Sequence, residues 1–422
     1  MRYAGIQGEQ IKVVSDTHFY AEKLNVVELP DDLKEVEGKF LITDYRFIAN
    51  KFLPIKKRNK ENIKVAFVSN WKMACGIATY SEALSSAIIP YLNDFCFFIE
   101  DNEMQDVNKI DNIEYDKNKF VVCWKRGQPL DNLAQKIKEY DPDVVLIQHE
   151  FGIFSPATYW LALLTQLSDY RVIVTMHSVY HHIDKIVCEA AIPEMIVHLD
   201  DAKKALVDKG INSKIYVIPH GCDLPKEQNK LWNIYKSEHT IVQFGFGFRY
   251  KRFDTAIKAI GLLKNKYPNI FFTTLFSESL NNKIEHDFYF NELKELIASL
   301  HLENNVAIVR GFQNDTVIDA YCRTNKIAIF PYGSHPEHKV YGASGAARMA
   351  MAKGLPIVTT NIPHFSDLPS IKAETEEEMA QAIDMLLSNR QKVADQISIQ
   401  NEYLIKNSWD EVARKYVQIF MQ

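Results

Sequence analysis

The sequence predicts an α/β protein with two doubly wound, Rossmann-like parallel-sheet domains and a ligand cleft between them. Three observations carry this. The 422-residue chain is too long for one ordinary core. Short, almost uniformly apolar strands alternate with helical stripes, the mark of a parallel sheet buried on both faces. The alternation begins near Ile63, breaks over the polar stretch 225–238 and then resumes.

Residues 1–62 lack that rhythm and end in Lys56-Lys57-Arg58-Asn59-Lys60, which reads as an extension with a charged linker. The first domain spans 63–225. Ile63–Val68 is a strand, Gly76 sits at a loop, and Ile77, Tyr80, Leu84, Ala87 and Ile88 form a helical stripe. Further strands are Val144–Ile147, Arg171–Thr175, Met195–Leu199 and Lys214–Ile218. The second domain, 239–405, carries strands at Thr240–Phe244, Ile270–Leu275, Val306–Val309, Ile327–Phe330 and Pro356–Thr359. Helices are expected at Asp254–Leu263, Asn291–Leu300, Ser344–Ala352 and Glu376–Leu387. A last helix at Trp409–Phe420 falls in a closing segment, 406–422.

Composition narrows the class. Hydrophobic residues are 47% and charged residues 24%, as in soluble enzymes. The net charge of −5 gives no basic field, so general nucleic-acid binding is not expected. The six cysteines include no CxxC pair, so neither a zinc ribbon nor a disulfide framework is indicated and a reduced cytoplasmic setting is the default. No apolar run reaches the roughly 18 residues of a membrane span. A peripheral membrane contact stays open.

Two loops stand at strand-to-helix junctions, where unpaired backbone N–H groups and the helix dipole attract anions. The first is Phe244-Gly245-Phe246-Gly247-Phe248-Arg249-Tyr250-Lys251-Arg252. Its glycines allow a tight turn, and Arg249, Lys251 and Arg252 supply cations; the competing reading is a glycine turn with solvated basic residues. The second is Tyr341-Gly342-Ala343-Ser344-Gly345-Ala346-Ala347-Arg348, in which Ser344 can cap a helix of small residues. Two anion sites in one domain suit a ligand with a diphosphate and a second anchored part, as in a nucleotide-sugar.

Further pieces sit at strand ends and recur in order: Cys75-Gly76-Ile77-Ala78-Thr79-Tyr80, Gln148-His149-Glu150-Phe151-Gly152, Thr175-Met176-His177, Val217-Ile218-Pro219-His220-Gly221-Cys222-Asp223, Gly311-Phe312 with Asn314-Asp315, and Met351-Ala352-Lys353-Gly354-Leu355-Pro356-Ile357-Val358. Together they resemble the GT-B-fold glycosyltransferases of glycosyltransferase family 4, from about Ile63 to the end. The family commonly has a Glu-x7-Glu pair; here those positions are Tyr341 and Met349. The chain is more similar to a subgroup with a Ser-Gly-Ala-x-Arg helix.

The resemblance implies a retaining, metal-independent hexosyl- or pentosyltransferase with a nucleotide-sugar co-substrate and no cofactor. It implies that Arg249 and Lys251 neutralise the leaving diphosphate. Gly247, Phe312, Ser344, Gly345 and Arg348 would serve donor binding, with Glu337 as a nearby carboxylate. His177 would lie by the reacting sugar, although a satisfied core histidine fits the same position. Gly76, Ile77 and Glu150 would face the acceptor, a glycan, lipid-linked, protein or nucleobase group; Glu150 reads equally well as the partner of a basic neighbour. His181 lies four residues after His177, a spacing that suits a metal pair, but no acidic or Cys ligand sits at a matching offset, so no metal site is expected. The implied final helix crosses back to the first domain. A nucleotide-sugar epimerase and a noncatalytic nucleotide-sugar-binding partner of another transferase are the alternatives.

Overall fold

The computed structural model describes residues 63–73, 75–101, 117–180, 192–211, 213–225, 239–278, 282–334 and 339–422. The expected extension and linker at 1–62, His181 and Glu337 lie outside them.

The first domain is a seven-stranded parallel sheet. Its strands are β1 (Lys64–Ser69), β2 (Asp94–Glu100), β3 (Phe120–Trp124), β4 (Val144–His149), β5 (Arg171–Met176), β7 (Glu194–Val197) and β8 (Lys214–Val217), in the order β3-β2-β1-β4-β5-β7-β8. Helices α1 (Gly76–Ile88), α2 (Asp131–Tyr140), α3 (Ala157–Gln166) and α4 (Asp200–Asp208) connect them. Alternation along β1 sends Ala66 and Val68 into one core and Val65 and Phe67 into another, so both faces are buried. Strands β2 and β3 were not among the sequence expectations. The sequence between them, 101–119, is largely polar, so the strand–helix rhythm is not legible there.

The second domain is a six-stranded parallel sheet. Its strands are β9 (Thr240–Phe246), β10 (Phe271–Ser277), β11 (Val306–Arg310), β12 (Ile327–Phe330), β14 (Ile357–Thr359) and β15 (Ile371–Lys372), in the order β11-β10-β9-β12-β14-β15. Around it lie α5 (Phe253–Leu263), α6 (Lys283–Ser299), α7 (Asp315–Thr324), α8 (Gly345–Ala352), α9 (Glu376–Ser388) and α10 (Arg390–Lys406). Helix α6 begins eight residues earlier than Asn291, because Tyr289 and the polar His286 are also buried on its inner face.

Two devices join the domains. The final helix, α11 (Trp409–Phe420), buries Val412, Ala413, Tyr416, Val417 and Phe420 in the first domain's core. Ser408 caps its start by accepting from the Glu411 N–H at 3.4 Å. At its end the buried Arg171 donates to the Ile419 and Phe420 carbonyls at 2.8 and 2.9 Å while pairing with Glu194. The second device is a short antiparallel ladder. Strand β6 (Ser178–Tyr180) of the first domain pairs with β13 (Val340–Gly342) of the second, in the register Val340↔Tyr180, Tyr341↔Val179 and Gly342↔Ser178. A Cβ on Gly342 would lie 3.1 Å from the His177 carbonyl oxygen, so the backbones meet closely.

Trp409 lies over Gly221, where a Cβ would fall 2.1 Å from the indole. Gly221→Ala is therefore expected to cost about 1–3 kcal/mol through overpacking and to lower Tm by several degrees. An unchanged melting curve would show that the indole does not rest there.

Candidate active site

In a parallel sheet the residues just past each strand gather at one edge, where doubly wound domains bind ligands. Neighbouring strands β4, β5, β7 and β8 each deliver a histidine to that edge. These are His149 at the end of β4, His177 after β5, His198 after β7 and His220 shortly after β8. The Tyr80 ring of α1 packs against three of them, with centroids 4.7 Å from His177, 5.2 Å from His198 and 4.9 Å from His220. The Tyr80 hydroxyl reaches Tyr416 of α11 at 3.0 Å, so the returning helix holds this row from below.

The row is neutral. Burial pushes His149 down to about 3 and His198 to about 4. Burial also holds His177 and His220 well below the usual range; neighbouring histidines add to it for His177, and Arg348 and other histidines for His220. His177 is only partly buried, at the edge of the cleft. Its Nε2 lies 2.9 Å from Gln148 Oε1 and its Nδ1 lies 3.4 Å from His198 Nε2. Both ring nitrogens therefore face partners within the first domain.

Across the cleft stands the start of α8. Ser344 is its N-cap, and its Oγ accepts from the Ala347 N–H at 3.3 Å. Gly345 opens the helix so close to the first domain that a Cβ there would lie 3.5 Å from His220 Nε2. Arg348 is buried one turn in. It donates to Asp367, to the Tyr403 hydroxyl at 3.0 Å and to the Ser344 carbonyl at 3.1 Å. Its charge is already paired, and it fixes α8 against α10.

The first loop divides its cations. Arg249 is half exposed and makes a two-pronged ion pair with Glu292 on α6, at 2.6 and 2.8 Å. Lys251 turns inward. Its Nζ sits 3.7 Å from the centre of the Tyr332 ring and 4.9 Å from that of Tyr250. Burial lowers it from the ordinary 10.5 to about 7, and its charge in turn helps depress His364. Among the described residues no carboxylate pairs with Lys251. Tyr332 and His364, which enclose it with Tyr250, were not singled out by sequence; the available signal was a polar residue just past a buried strand, as Tyr332 follows β12.

The remaining expected site residues fall as follows. Gly247 is demanded by packing, since a Cβ there would lie 2.0 Å from the Phe276 ring, and its N–H donates to the Ser277 carbonyl at 2.8 Å. Phe312 follows β11 and is 52% exposed, 6.5 Å from Phe246. Gly76 starts α1 facing open space, whereas Ile77 is buried in the core. Glu150 follows β4; its Oε1 accepts from the Phe151 N–H at 3.1 Å and the Tyr180 hydroxyl at 3.3 Å, and burial raises its pKa. No basic residue pairs with Glu150 among the described residues. The site thus joins Lys251, the α8 N-terminus, Glu150 and the histidine row, and leaves Arg249 at the surface.

Residues 238–389 match the family model described as "Glycosyl transferases group 1". No curated protein matches the chain by sequence. Solved structures share its fold. A glycosyltransferase from Rickettsia africae aligns with TM-score 0.65 and 18% identity, over 85% of this chain and 98% of that one. HepE from Anabaena, in complex with UDP, aligns with TM-score 0.62 and 14% identity, over 85% and 99%. The pneumococcal O-GlcNAc transferase GtfA, in complex with UDP and GlcNAc, aligns with TM-score 0.64 and 11% identity, over 85% and 99%. The architecture is GT-B.

A partly buried cation with no anion beside it weakens the empty protein. Lys251 binds its proton less tightly folded (about 7) than at its ordinary value of 10.5. Its cost is full below pH 7 and fades as the pH rises toward 10.5. Lys251→Met should therefore raise the ligand-free Tm, by a few degrees at pH 6.5 and by less at pH 9.5. Thermal melts at both pH values check this, and a lower Tm at pH 6.5 would contradict it.

Proposed function

We propose that the chain is a retaining, metal-independent glycosyltransferase that moves a sugar from a nucleoside-diphosphate donor to an acceptor hydroxyl. The carrying observation is Lys251, a partly buried cation over the Tyr332 ring with no carboxylate partner among the described residues, in the same cleft as the α8 N-terminus. A diphosphate answers both features: Lys251 supplies charge, and the first amides of α8 supply hydrogen bonds. The family-model match over the second domain supports the same reading. HepE and GtfA are described with bound UDP, which makes a uridine diphosphate sugar the first donor to test.

In the proposed reaction the bond between the anomeric carbon and the β-phosphate oxygen breaks, and the acceptor oxygen bonds to that carbon. The nucleoside diphosphate leaves with the negative charge, and the acceptor proton passes to a departing phosphate oxygen. Lys251 acts on the charge as it develops. Ser344 and Gly345 present α8 to the donor, Phe312 offers an exposed ring for the base, and Arg348 keeps α8 in place. Gly76 leaves room for an acceptor beside Glu150.

Two measurements test it. Lys251→Ala should lower turnover by about a hundredfold, whereas Arg249→Ala, which only frees Glu292, should change it by less than about threefold. Equal losses would return Arg249 to the mechanism. Turnover should also survive exhaustive EDTA treatment; loss restored by Mn²⁺ or Mg²⁺ would refute metal independence. Donor hydrolysis without transfer to any acceptor would favour a different role for the same nucleotide site.

A further inference from the structure

The histidine row carries a proton inventory that can be read atom by atom. The Ile218 carbonyl only accepts, and it lies 3.0 Å from His198 Nδ1. His198 Nδ1 must carry a hydrogen and donate it. Burial keeps His198 neutral at pH 7, so its Nε2 is a bare lone pair. That lone pair faces His177 Nδ1 at 3.4 Å. Two lone pairs cannot face each other, so His177 Nδ1 is the protonated nitrogen.

His177 is also held neutral, so its Nε2 is the acceptor. The Gln148 amide lies 2.9 Å from it. With Oε1 toward the ring, a second lone pair opposes the first, and the Gln148 NH₂ is buried without a partner. Turning the amide by 180° removes both faults at once. The NH₂ then donates to His177 Nε2, and a carbonyl oxygen is left in the other position, which is a smaller cost than an orphaned donor. Amide oxygen and nitrogen are nearly the same in shape, so the hydrogen-bond network decides between them.

We propose that Gln148 and His198 are positioning residues that lock His177 as the Nδ1–H tautomer, with both ring nitrogens spent inside the first domain. His177 then forms a rigid neutral floor to the cleft and holds no proton free for the sugar. The inference rests on the transferase reading only for what it says of the sugar; the tautomer stands on the row alone. The groups facing the row are His149 beside His177, Tyr80 against three of the rings, and Arg348, which depresses His198 and His220; Asp367 acts on His198 in the opposite sense.

The test is long-range ¹H–¹⁵N NMR on the full chain with labelled histidine, at pH 7.5 and without ligand. Single His177→Gln and His198→Gln variants assign the signals. Both residues should show protonated Nδ1 and bare Nε2. An Nε2–H tautomer or an imidazolium at His177 would overturn the proposal, whatever the enzyme's activity. Gln148→Glu provides a second reading. A carboxylate there demands a hydrogen on His177 Nε2, so His177 should become doubly protonated and titrate at least one pH unit higher than in the parent. A His177 signal unmoved by Gln148→Glu would overturn the proposal. Should that variant fail to fold, Gln148→Met replaces it. His177 should then keep Nδ1–H while its Nε2 shift moves toward that of a free lone pair, and an unmoved Nε2 shift would overturn the proposal.

Discussion

Lys251 lies partly buried over the Tyr332 ring, and no described carboxylate answers its charge. Proteins do not keep such a cation without a reason, because desolvation works against it and an aromatic face returns only part of the loss. The surrounding groups do not relieve it. His364 and the histidine row are neutral, and Arg348 is occupied by Asp367 and Tyr403. Whenever Lys251 is protonated, the cleft is thus short of one anion. Arg249, two residues earlier, shows the contrasting outcome: its charge is matched by Glu292 at the surface.

Closure of the two domains makes this shortage useful. The β6–β13 ladder joins the strand after His177 to the strand before Ser344, so it sets the distance between the histidine row and α8. Helix α11 fixes the same relation from the other side through Arg171, Tyr416 and Trp409. With both in place, Gly345 stands against His220, where a Cβ would come into ordinary contact at 3.5 Å from Nε2. The proposed donor site is therefore a property of the interface, although most of its residues belong to the second domain.

Much of this was legible in the sequence because it is local. Apolar strands, the small residues of α8, its Ser344 cap and the glycine loop before Lys251 each leave a pattern within ten residues or so. What was not legible depends on side-chain direction or on distant pairing. Arg249 and Lys251 are interchangeable in a pattern of glycines and cations; the short 3₁₀ turn at Arg249–Lys251 sends one out and the other in. Ile77 sits beside Gly76 in sequence but belongs to the core, because α1 turns it to the sheet. The three-residue ladder has no local signature, since its two strands are far apart in the chain and belong to different domains. His198 was hidden for another reason: a lone histidine in an apolar strand end looks like any core residue until its neighbours on β5 and β8 are placed.

The central claim, that the cleft's missing anion is a donor diphosphate held by Lys251, predicts proton uptake on binding. Lys251 is largely neutral above pH 7 in the empty protein and must become charged against the diphosphate. Calorimetric titration with UDP-glucose at pH 7.5, in buffers of different ionisation enthalpy, measures this directly. The account predicts net proton uptake on donor binding, because the free value is lowered to about 7, and none in Lys251→Met. Binding of the donor with no proton uptake in the unaltered protein would contradict it.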